Sequence, residues 1–186
     1  MPTTHVFILF PSSEDERPFL DFELGENSRT GLNLENALQT ETNASAQTAA
    51  EFLVTGPDPT AWDCYACGGT LGVFSQKAMT VLAPFAHRCF ETLRVSINGA
   101  PYYVLRTKDT LDCLDRNRSI IKVFPHDPGR IMQVDRFRFR KELVPDPIMF
   151  VIPEGPFHLF ASDGVERAIR AGNLRGFELM DAEGMQ

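Results

Sequence analysis

The chain has 186 residues, 43% hydrophobic and 23% charged, a balance that suits one globular unit able to build its own core. Its formal net charge of −7 repels phosphate backbones and argues against a nucleic-acid partner. No stretch reaches the ~18 apolar residues of a membrane span, and residues 1–18 lack the basic start of a secretion signal, so the expectation is a cytoplasmic protein with no membrane partner.

The charge is uneven. Residues 1–70 carry eleven Asp or Glu against two Lys or Arg, while the remainder is slightly basic. An acid excess of this kind steers a basic protein partner, although plain solubility is the better explanation from charge alone. Four cysteines (Cys64, Cys67, Cys89 and Cys113) are too few and too irregularly spaced for a secreted disulfide scaffold, which leaves free thiols as the expectation.

In chain order, His5–Phe10 reads as a strand ended by Pro11, and Phe19–Leu24 as a second one. Residues 25–50 are polar and weakly periodic, a long loop with a helical turn near Leu34–Leu38. Glu51–Thr55 is a short strand. Ser75 is a good N-cap for a helix running to about Cys89, with Met79, Leu82 and Phe85 on one face and Pro84 set to kink or shorten it. Leu93–Ile97, Asn98-Gly99 and Pro101–Leu105 form a hairpin pattern, because both turn residues accept positive φ. Ile120–Phe124 is a strand. Arg130–Leu143 alternates apolar and basic residues and predicts another, with Phe137 and Phe139 facing inward. Ile148–Ile152 and His158–Phe160 are further strands. Ser162 caps a helix with Val165, Ala168 and Ile169 on its apolar face, Gly172-Asn173 stops it, and Leu174–Met180 returns as a strand. The expected fold class is α+β, a mostly antiparallel sheet with two or three packed helices.

No catalytic constellation stands out. Cys64-Tyr65-Ala66-Cys67 is half of a zinc-ribbon pattern, but no second pair follows it; a zinc protein or cytoplasmic enzyme using Cys64 and Cys67 is the alternative reading. The four histidines (His5, His87, His126 and His158) accompany no nucleophile signature, and no cofactor is expected. Arg136–Lys141 mixes basic and aromatic residues as single-strand binders do, yet alternation sends rings and guanidinium groups to opposite sides. The densest polar cluster is Lys108–Ser119, between two strands. Its acids recur every third residue and lack the central Gly and distal Glu of a calcium loop. Asp109, Asp112, Asp115, Arg116 and Arg118 are the candidate partner-binding residues, with a solvated connecting loop as the plainer explanation. A small-ligand module would show itself as an apolar pocket with a few convergent polar groups.

The order Val73-Phe74-Ser75 opening a helix, then Tyr102-Tyr103-Val104-Leu105, then Leu111-Asp112-Cys113-Leu114-Asp115 with Ser119, resembles the immunity protein 11 family. Arg136-Phe137-Arg138-Phe139 and the helix ending Ala171-Gly172-Asn173-Leu174-Arg175-Gly176-Phe177 extend the resemblance across about residues 72–180. It implies a bacterial immunity protein of a polymorphic toxin system, non-catalytic, held in the producing cell to bind and neutralise a cognate toxin by occlusion. The chain then reads as one α+β unit over 1–186, with an acidic, variable N-terminal part (1–71) and a family-like C-terminal part (72–180). A homodimer remains open at this stage.

Overall fold

Residues 4–11, 22–24, 51–54, 62–65, 71–97 and 99–184 are described by a computed structural model of the chain. Among them, twelve strands and two helices make an α+β fold in which every strand pairing but one is antiparallel. The first apolar run becomes β1 (Val6–Pro11), which buries Val6, Ile8 and Leu9. It lies inside a four-stranded sheet in the order β10 (Met149–Ile152), β11 (Gly155–Ser162), β1, β12 (Phe177–Asp181). Phe7 therefore faces Ala161 on one side and Asp181 on the other.

A six-stranded sheet runs β2 (Phe22–Leu24), β3 (Glu51–Val54), β6 (Phe90–Ile97), β7 (Ala100–Thr107), β5 (Val73–Ser75), β4 (Cys64–Tyr65). The expected hairpin forms: Ile97 pairs with Ala100 and Gly99 takes φ 78°. Val73–Ser75 is a strand in its own right before the helix starts, which periodicity over three residues could not announce. A third pair, β8 (Ile120–Phe124) and β9 (Asp127–Arg136), forms a ribbon bonded to neither sheet.

Helix α1 (Gln76–Ala86) starts where expected, with the Ser75 hydroxyl accepting the Ala78 N–H at 3.0 Å. It ends two residues past Pro84, short of Cys89, and buries Ala78, Met79, Leu82 and Ala86. It packs on β5, β6, β7 and β10, and on α2 (Asp163–Ala171), so one apolar cluster joins the two sheets through it.

Helix α2 corrects one expectation. Ser162 occupies the N-cap position, yet its hydroxyl bonds nothing in the helix. It donates to Asp146 Oδ1 at 2.8 Å and accepts the Ile148 N–H at 2.9 Å. Asp146 supplies the cap from another part of the chain, accepting the Gly164 N–H at 2.6 Å and the Arg167 guanidinium at 3.0 Å. The C-terminus closes as a Schellman motif: Leu174 N–H reaches Ile169 O, Asn173 N–H reaches Arg170 O, and Asn173 takes φ 47°. This delays β12 to Phe177, three residues later than the apolar pattern suggested. The Arg130–Leu143 strand also divides. Its ladder stops at Arg136, Phe137–Arg140 keep a single bridge, from Phe139 to Leu114, and Lys141–Leu143 form a 3₁₀ turn. The helical turn expected near Leu34–Leu38, the first residues of the Phe19–Leu24 strand, Cys67 and Asn98 lie outside the described residues.

β4 is fastened to the α2–β12 connection. The Asp63 N–H donates to the Arg175 carbonyl oxygen at 2.9 Å, and the buried Asp63 carboxylate accepts the Arg175 N–H at 2.9 Å and the Ser75 hydroxyl at 2.7 Å. Gly176, at φ 89°, comes so near that a Cβ there would lie 2.6 Å from the Cys64 carbonyl oxygen. Gly176→Ala is expected to cost about 2–3 kcal/mol and to lower Tm by about 5–10 °C. Gly99→Ala, with open space around it, should cost only about 1 kcal/mol in the same thermal melts.

Burial alone would raise the Asp146 pKa, but the bonds from Ser162, Gly164 and Arg167 outweigh it and hold the carboxyl below its ordinary value. A lowered folded-state value means stability present above the ordinary carboxylate range and lost as pH falls through the lowered one. The denaturant midpoint should therefore drop more steeply below about pH 4 in the wild type than in Asp146→Asn.

Candidate functional site

The Lys108–Ser119 cluster is a strap rather than a free loop. Leu111, Cys113 and Leu114 are buried, with Leu111 N–H bonded to Val151 O at 2.8 Å. Arg140 N–H to Cys113 O at 2.8 Å and Asp115 N–H to Arg138 O at 2.7 Å tie it to the Phe137–Arg140 segment. The polar residues between the buried ones are left on the outer side.

The five candidate residues divide by role. Asp115 shapes the chain: its carboxylate accepts the N–H groups of Asn117 and Arg118, each at 3.2 Å, as an Asx turn does. Asp112 and Arg116 belong to one network with Arg140 and Glu154. Asp112 Oδ1 meets Arg116 at 3.0 Å and Arg140 at 3.1 Å, and Arg116 also pairs with Glu154. Asp109 and Arg118 are exposed, Arg118 only at the 4.0 Å limit of an ion pair with Asp115. The strap thus brings Asp112 and Arg116 together and leaves Asp109 and Arg118 as outlying charges.

Glu154 was not singled out by the sequence. It sits in the turn between β10 and β11 with its side chain only 2% exposed, and Oε2 has no hydrogen-bond partner. The Pro153-Glu154-Gly155-Pro156 turn between two apolar runs was the available signal, but nothing local says that a carboxylate there folds inward. The turn forms one wall of a cleft of about 430 Å³ whose other wall is β9, with Phe137, Met132, Val134 and Phe157 among its lining. His158 also lines it. Its Nδ1 is buried without a partner, its ring meets the Phe137 edge at 5.6 Å, and burial lowers its pKa, which favours the neutral imidazole.

The rings of Phe137 and Phe139 are buried, so the Arg136–Lys141 run cannot offer them to nucleic-acid bases. Burial pushes the Cys113 thiol up to about 12, and Cys89 is raised by the same cause; neither is suited to act as a thiolate. Cys64 is buried in β4. Among the described residues, no group of three or more His, Cys, Asp or Glu could hold a metal ion, and no helix is long and apolar enough to cross a membrane.

The immunity protein family (Imm11) matches residues 87–184, more than half of the chain. The chain belongs to that family. The immunity-family segment starts after α1 rather than at residue 72, and it holds the strap, the ribbon, the cleft and α2 together. No curated protein matches the chain.

Removing the Arg116 guanidinium would leave the Glu154 carboxylate buried and unpaired. Arg116→Ala is expected to cost about 2 kcal/mol in urea unfolding, below the range for a fully buried pair because Arg116 is half exposed. Adding Glu154→Gln should recover most of that loss; a double variant as weak as the single one would show that the pair is not what Arg116 supports.

Proposed function

We propose that this protein protects the cell that makes it by binding a cognate toxin domain of a polymorphic toxin system and covering its working surface, with no chemistry of its own. The observation that carries the reading is the family match over residues 87–184. The whole chain acts as one unit in the cytoplasm, with no nucleic acid, membrane or cofactor involved. The strap supplies polar contacts at the edge of the interface: Asp109 and Arg118 reach out directly, Asp112 and Arg116 through their network, and Asp115 holds the turn that presents them. Net charge of −7 favours a toxin that is basic overall, because long-range attraction speeds encounter. Residues 1–71 add to that attraction and vary the choice of partner.

The cleft favours a second reading, a small-ligand or regulatory module, since it has apolar walls with Glu154 and His158 among its lining. One experiment addresses both. Bacteria expressing the toxin domain encoded beside this gene should survive only when this chain is co-expressed, and purified chain alone should suppress the toxin's activity. Continued killing in the presence of folded chain would sink the toxin reading.

A further inference from the structure

The ribbon presents an apolar surface that the described chain leaves uncovered. Met132 is 46% exposed and Ile120 45%, with Val123 and Phe124 beside them in the same two strands. Phe157 is 80% exposed on the opposite wall of the cleft. The ribbon packs on the core through Ile121 and Val134 and leaves these other apolar side chains exposed, as an interaction surface does.

The charges state what kind of partner fits. Residues 118–136 carry Arg118, Lys122, Arg130 and Arg136 against Asp127 and Asp135, a basic patch on a chain whose net charge is −7. Lys122 is matched by Asp135 at 2.8 Å. Arg130 lies over the Phe124 ring at 5.0 Å, and neither it nor Arg136 has a carboxylate partner among the described residues. A second copy docking face to face would bring these like charges together, so the fit is to a different molecule bearing carboxylates. At the cleft, Glu154 Oε2 and His158 Nδ1 lack partners. An anchor that is apolar along its length and carries a donor at its tip suits both apolar walls and offers a hydrogen bond to the Glu154 carboxylate.

We propose that the β8–β9 ribbon and the adjoining cleft are where the toxin docks, through a protruding acidic segment that inserts a Tyr or Trp side chain between Met132 and Phe157. This rests on the toxin-binding reading above. The strap residues are then the rim of the interface and the ribbon its centre.

The test uses the full chain and, as probe, an activity-dead variant of the toxin domain encoded beside the gene, with Kd measured by calorimetry. Phe157→Asp and Met132→Asp should each weaken binding about 100-fold or more, with circular dichroism and melting unchanged because both side chains are exposed. Arg130→Glu should weaken binding about 10-fold and flatten its salt dependence. Wild-type affinity retained within about 3-fold by both apolar variants overturns the docking site and leaves the toxin reading standing. Arg130→Glu that binds as well or better overturns the acidic partner segment. A wild-type dimer that Phe157→Asp dissociates with no loss of toxin affinity makes the face a self-interface and overturns the proposal. No binding by the wild-type chain removes the toxin reading and this inference together.

Discussion

Phe160, at the centre of β11, fixes the geometry on which the candidate face depends. Its ring centroid lies 5.3 Å from Phe137, 5.4 Å from Phe139 and 5.4 Å from Phe150. Two of these rings belong to the alternating Arg-Phe segment, so seating them in the core decides where every other residue of that segment goes. Arg138 reaches the Glu183 carbonyl oxygen and Arg140 reaches Asp112. The segment therefore straps the Asp112–Asp115 stretch on one side and sends β9 outward at its start. Phe137 serves twice, as a core ring and as lining of the cleft. Aromatic pairs add about 1 kcal/mol each beyond simple burial, and this cluster holds a position as well as adding stability.

Around that apolar centre, three buried or half-buried carboxylates act as connectors. Asp63 joins β4 to the start of α1 and the end of α2; Asp146 joins the segment before β10 to the start of α2; Glu154 joins the β10–β11 turn to the strap. The first two have several donors each. Glu154 keeps one oxygen without a partner, next to a cleft, a less complete arrangement than the other two.

The apolar periodicity of the sequence carried most of the elements: β1, the β6–β7 hairpin, β8, β10, both helices and the inward Phe residues of the Arg-Phe run. These depend on local patterns of period two or 3.6 and on turn residues with known φ. What the pattern missed depends on contacts between distant residues. The cap of α2 comes from Asp146, seventeen positions before the helix begins, while the obvious Ser162 does other work. β4 and β5 are too short to show alternation. The cleft forms between a ribbon and a turn far apart in sequence, so Glu154 and Phe157 looked like ordinary turn and strand residues. The strap was visible as a polar cluster, and which of its charges are already committed was not.

The position of β1 has a consequence for when the molecule exists at all. Phe7 pairs with both Ala161 and Asp181, so β1 has to wait for β11 and β12, far along the chain, before its sheet can close. Contacts across such a separation form late, since a long loop must close before they add any stability. A ribosome still short of β12 therefore carries an unfinished sheet with an unpaired strand edge, open to wrong pairings or to chaperones. A chain in which β12 has not yet been made lacks one edge of this sheet, and only its arrival lets the Phe7–Asp181 pairing close.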